Sequence, residues 1–185
     1  MVAVRVGIQV RYEQALAQVS RWGLALKPGP LLYAIGARQL KWITDNIREG
    51  GIDEPWTEMA PSTIAARPVR SSGHTFSSRW ASRLAQSFAI DVSEQEGTVD
   101  VGTEDQFAEW QHEGTPPHDI YPRNAAFLRF QTDKGVRFAP FVHNPGIPAR
   151  PLVPTKDVAE QMALEVLEAV VEKLEAQDKN EEPGG

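Results

Sequence analysis

The sequence predicts an α+β fold: a small antiparallel sheet with a long hairpin, packed against several helices and followed by a C-terminal amphipathic helix. Three observations predict it. The first ten residues alternate apolar and polar, several later stretches place apolar residues at helical spacing between Pro and Gly breaks, and short alternating runs face each other across tight turns. With 185 residues, 41% of them hydrophobic, the chain suffices for one domain with appendages. Residues 1–177 are expected to form that domain, with a Pro/Ser-rich loop at 52–78 and a helix at 155–177, and residues 178–185 a flexible acidic tail.

Taken in order, Val2, Val4, Val6, Ile8 and Val10 share one side of a strand, opposite Ala3, Arg5, Gly7, Gln9 and Arg11. Leu16, Val19, Trp22 and Leu26 then predict a helix over 12–26, stopped by Lys27-Pro28-Gly29-Pro30. A second helix follows that turn, with Leu32, Ile35, Leu40, Ile43 and Ile47 as its stripe and Gly50-Gly51 as its stop. Between Ile52 and Ser78 only a short helix near Ser62 is expected.

Trp80, Leu84 and Phe88 restore helical spacing, and 88–92 and 98–101 read as two strands around a turn at 94–97. A short helix is predicted from Glu104 to His112, broken by Gly114 and Pro116-Pro117. Residues 127–131 and 135–139 form the hairpin around Thr132-Asp133-Lys134. Residues 144–151, with three prolines, exclude both helix and central strand. The last helix takes Thr155 as its cap and Asp157 in its first turn, with a stripe of Val158, Met162, Val166, Val170 and Leu174.

Composition narrows the chemistry. A chain without cysteine has no thiol nucleophile, thiolate metal cluster or disulfide, and intracellular synthesis fits. The opening residues lack the pattern of a secretory signal, no run reaches the ~18 apolar residues of a membrane span, and no membrane partner is expected. A net charge of −6 argues against a protein whose main task is to grip nucleic acid. Much of that excess lies from Lys156 onward, where nine acids oppose three lysines.

Asp105, Glu109, His112 and Glu113 form the densest titratable cluster, on a predicted helix. It lacks a second histidine at the four-residue step of a helical zinc site, so a solvated acidic face is the preferred reading over a metal-dependent hydrolase or nuclease. His74, His118 and His143 fall among loop signals, and no serine lies in a Gly-x-Ser-x-Gly turn. Arg67, Arg70, Arg79 and Arg83, with Trp80 among them, read as a partly basic loop feeding a helix rather than a nucleic-acid patch. No catalytic residue, metal ligand or cofactor is expected.

The order of several short motifs carries more information. Pro55-Trp56, Pro61-Ser62-Thr63, Arg83-Leu84-Ala85-Gln86-Ser87, Val99-Asp100-Val101-Gly102, Phe107-Ala108-Glu109-Trp110-Gln111-His112-Glu113-Gly114 and Pro145-Gly146-Ile147-Pro148-Ala149-Arg150-Pro151-Leu152 follow one another across residues 52–152. This series resembles the tail-completion or virion-morphogenesis (head–tail joining) proteins of long-tailed bacteriophages, a broad group that includes relatives of lambda minor tail protein Z. The chain departs from the family pattern in placing Trp110 before Gln111, where a histidine is common, and His112 after it.

The resemblance implies a structural, non-enzymatic virion protein. It would be made in the bacterial host cytoplasm and assembled in the phage neck as a homo-oligomeric, sixfold ring. It further implies connector or adaptor, tail-terminator and tail-tube proteins as partners, and DNA passing through the lumen without specific binding. A tail-tube terminator or a capsid accessory protein is the alternative station. Candidate subunit contacts are Phe107, Trp110 and His112, then Pro145, Gly146, Ile147, Pro148 and Arg150, and on the last helix Val158, Met162 and Val166. The prolines of 145–152 hold that segment extended with few conformations to lose, and Arg150 is expected to pair with an acidic neighbour.

Overall fold

A computed structural model describes residues 6–11, 28–58, 78–132 and 135–181. The helix expected over 12–26, the Pro/Ser-rich segment beyond residue 58, His74, Arg67 and Arg70 lie outside those residues. The fold is α+β, with four helices and small antiparallel sheets among the described residues.

The main sheet has the order β1 (Val6–Arg11), β3 (Thr98–Thr103), β2 (Ala89–Ser93), antiparallel throughout. Its register sets Ile8 and Ile90 opposite Val101, and Val10 and Val92 opposite Val99. Val99 and Val101 are fully buried, which fits the central position of β3. Across this sheet lies α1 (Pro28–Glu49), burying Leu31, Leu32, Ile35, Ile43 and Ile47. Each such side chain removed from water contributes about 1.5–3 kcal/mol. Leu40, expected within this stripe, packs only partly buried against the core.

The helix begins earlier than its sequence suggests. Pro28-Gly29-Pro30, expected as the turn before it, forms its first turn instead. The first N–H groups of a helix have no carbonyl partner, so proline costs nothing there. At the other end Gly50 and Gly51 both donate to the carbonyl of Asn46 at 3.0 Å, with Gly50 at φ 77°. That left-handed cap is the stop the glycine pair predicts.

Where α1 crosses the sheet it carries Gly36. A Cβ at Gly36 would meet Ile90 Cγ2 at 2.7 Å and Val99 Cγ2 at 2.8 Å. Both are β-branched methyls that cannot swing aside. Gly36→Ala gains about 1 kcal/mol of helix propensity, and overpacking costs about 1–3 kcal/mol. A net loss is expected, read as a lower urea midpoint with an unchanged slope; a stabilised variant would mean that helix and sheet have room to separate.

Two helices flank α1: α2 (Ser78–Ser87), which buries Leu84, and α4 (Lys156–Glu181). Thr155 caps α4 as expected, accepting from the N–H groups of Val158 and Ala159. The buried face of α4 coincides with the predicted stripe only in part. Ala159, Met162, Ala163 and Leu167 are buried and Val166 and Val170 pack partly against the core, whereas Val158 and Leu174 are only half-buried. Steps of four residues overrun a 3.6-residue turn, so a stripe drawn from 158 to 174 winds about 160° around the helix. The helix also continues to Glu181, four residues into the expected tail, because residues 178–181 contain no helix breaker and Pro183 lies just beyond.

The remaining β structure stands apart from this core. A second sheet pairs β4 (His118–Ile120) with β7 (Val142–Asn144), and between them β5 (Leu128–Thr132) and β6 (Gly135–Ala139) form the expected hairpin. The sequence did not predict β4 and β7. At three residues each they are too short to show an alternation.

Candidate functional site

Two features bear on function: a polar clasp at the end of α3 (Gln106–Glu113), and the β arm of residues 118–144. The clasp begins with the residues that position α3. Thr103 Oγ1 donates to Ser87 Oγ at 2.8 Å and accepts from the Asp105 N–H, while Asp105 caps α3 by accepting from Phe107 N–H at 2.9 Å. The other Asp105 oxygen pairs with Arg83 at 3.5 Å. Asp105 therefore joins three elements, α2 and the start of α3 through its carboxylate and the end of β3 through its backbone N–H.

At the C-terminal end of α3 the segment after Pro148 is laid against the helix. Arg150 N–H donates to the Gln111 carbonyl at 2.7 Å, and its guanidinium donates to Gln111 Oε1 at 2.8 Å. The Leu152 N–H donates to His112 Nδ1 at 3.0 Å. From α1, Asn46 Nδ2 donates to the Pro151 carbonyl at 2.8 Å while its Oδ1 accepts from Ile52 N–H at 2.9 Å. Asn46, Gln111 and Arg150 are all buried, and Leu152 fills the core beneath them.

This geometry corrects the role expected of Arg150. At 5% exposure it is turned into its own subunit, where Gln111 and the Thr57 carbonyl receive its guanidinium. Burial also lowers its pKa, but an arginine keeps its charge in any protein environment. Met162 is likewise buried in its own subunit, and Phe107 packs on the core. Trp110 and the backbone around Pro145 and Pro148 remain at the surface, with Gly146, Ile147, Val158 and Val166 half-buried.

His112 must be neutral to accept from Leu152 at Nδ1. Burial holds its pKa below the ordinary 6.5, partly opposed by Glu113. The unfolded chain thus takes up this proton first as the pH falls. The contribution of His112 is complete above its unfolded pKa and is lost as pH drops through the folded value. Melting temperature is expected to fall below about pH 6.5, and to fall less steeply in His112→Gln; identical pH profiles would remove His112 from the clasp.

Asp105 and His112 are committed to the contacts above, and no group of three or more His, Asp or Glu side chains placed to hold a metal ion occurs among the described residues. His118 Nδ1 lies 3.0 Å from the Pro116 carbonyl, and His143 Nδ1 lies 2.9 Å from Asp119 on the facing strand.

Of the β arm, sequence reasoning found the β5–β6 hairpin and missed the β4–β7 ladder from which it extends. Of the eleven large hydrophobic side chains exposed among the described residues, seven fall between 120 and 141: Ile120, Tyr121, Phe127, Phe130, Val136, Phe138 and Phe141. Tyr121 and Phe141 stack at 5.8 Å where the arm leaves the β4–β7 ladder. No family model, curated protein or solved structure matches the chain.

A two-stranded hairpin is marginally stable in water unless one face is covered. Here the alternation sets Phe130 beside Arg137 on one face and Phe138 beside Arg129 on the other. All four are exposed. The hairpin thus exposes an aromatic side chain on each of its two faces.

Proposed function

We propose that this chain is a structural subunit of a long-tailed phage neck, a tail-completion or head–tail joining protein that acts as a homo-oligomeric ring. The observation that carries the reading is the β arm, which exposes seven large hydrophobic side chains to solvent. An assembly protein has a use for such a surface.

The motif order supports the same reading. Its two distinctive halves, around Gln111 and around Arg150, are joined directly by a buried hydrogen bond across 39 residues. The net charge of −6 fits a ring around DNA, since an acidic subunit would repel phosphates and let the genome pass without being held. Connector or adaptor, tail-terminator and tail-tube proteins are the partners this position requires.

Deletion of the gene from its phage tests the proposal. Infected cells are expected to accumulate filled capsids and separate tails that fail to join, seen by electron microscopy. Joined, infectious particles without the protein would overturn it, and so would a lysate without capsids.

A further inference from the structure

The β arm and the outer face of α4 are both uncovered within one chain, and they carry opposite charge. On α4 the exposed row Glu160, Leu164, Glu168, Glu172 runs at four-residue steps, with Leu164 at 55% exposure among the carboxylates. Glu160 is paired with Lys156, but Glu168 and Glu172 make no ion pair among the described residues. On the hairpin Phe138 is 64% exposed, with Val136 exposed beside it along the strand and Arg129 directly across. Arg129 and Arg137 likewise make no ion pair among the described residues.

The spacings agree. Residues opposite each other in an antiparallel pair have Cβ atoms about 5 Å apart, and residues one turn apart on a helix are about 5–6 Å apart. The aromatic–cation pair Phe138–Arg129 therefore has the same span as the apolar–anion pair Leu164–Glu168. We infer that the hairpin of one copy docks on the outer face of α4 of a second copy, Phe138 on Leu164 and Arg129 on Glu168.

The two surfaces are different patches, so the contact is head-to-tail. Repetition of such a contact closes into a ring when the rotation per subunit divides a full turn, and otherwise runs on as a filament. A self-complementary arm-to-arm dimer would instead bring Arg129 and Arg137 toward their own copies. The inference rests on the ring element of the proposed function, not on its phage setting.

The chain contains no cysteine, so engineered ones report cleanly. Purified Phe138→Cys and Leu164→Cys proteins, mixed and oxidised, are expected to give a disulfide-linked pair, whereas neither alone should. The double variant should give a ladder of covalent oligomers. In parallel, Arg129→Glu should weaken self-association by about tenfold or more, measured by sedimentation, and Glu168→Arg in the same chain should restore it. Self-linkage of Phe138→Cys alone, or assembly indifferent to Arg129→Glu, would overturn the contact while leaving the ring. A chain that stays monomeric at every concentration would overturn the contact and the ring together.

Discussion

Arg150→Glu is expected to abolish folding rather than impair assembly. The new carboxylate would face Gln111 Oε1 and the Thr57 carbonyl, the two acceptors that the guanidinium satisfies at 2.8 and 3.4 Å. A charge buried against acceptors with no donor costs on the order of 3–5 kcal/mol, comparable with the whole stability of a small domain, about 5–15 kcal/mol. Arg150→Met keeps most of the side-chain volume and takes the guanidinium from both Gln111 Oε1 and the carbonyl of the exposed Thr57, at about 1–3 kcal/mol for the buried acceptor. Urea unfolding followed by circular dichroism separates the cases: a cooperative transition at reduced midpoint for the methionine variant, and little or none for the glutamate variant. A glutamate variant that folds normally would mean that the side chain escapes to solvent and that the clasp is dispensable.

Gly114→Ala is expected to be nearly as damaging, for a backbone reason. Gly114 ends α3 at φ 76° and ψ −177°, a combination almost confined to glycine, and any other residue there costs about 1–3 kcal/mol in strain alone. Its Cβ would also stand 2.5 Å from the Ile147 carbonyl oxygen and 2.8 Å from the Ala149 nitrogen. Those are main-chain atoms, so relief requires moving residues 147–150 away from the helix end. That movement withdraws Arg150 from Gln111, so Gly114→Ala and Arg150→Met should destabilise less together than the sum of their separate effects. Simple additivity in the denaturation free energies would show that the segment adjusts locally instead.

The elements that could be read from the sequence are those whose signal is local. The β2–β3 pair follows from alternation around one turn, α1 from its stripe and glycine stop, and the β5–β6 hairpin from two runs around Thr132. The clasp was not legible in the same way. Pro-Ala-Arg-Pro reads as exposed loop because charged residues are almost never fully buried unless paired, and the partner of Arg150 lies 39 residues back in the chain. Neither residue signals the other. The arm was misjudged for the opposite reason: Phe130, Val136 and Phe138 alternate as half-buried strands do, yet no second layer covers them. Periodicity reveals that a strand has two different faces, but not whether its own chain supplies the cover.

The position of β1 has a consequence for synthesis. Its register partners run from Thr98 to Thr103, so Val6 must find a residue roughly a hundred positions later. At about 5–20 residues per second on the ribosome, β1 waits roughly five to twenty seconds before β3 exists. By contrast β2 and β3 meet at once across their turn, leaving one edge of β3 open for an incoming strand. On a crowded polysome the open edge belongs to whichever β1 arrives first. Exchange of that strand between neighbouring nascent chains is then the competing reaction, and at high expression it would yield interlocked dimers with correct registers and the wrong covalent connections.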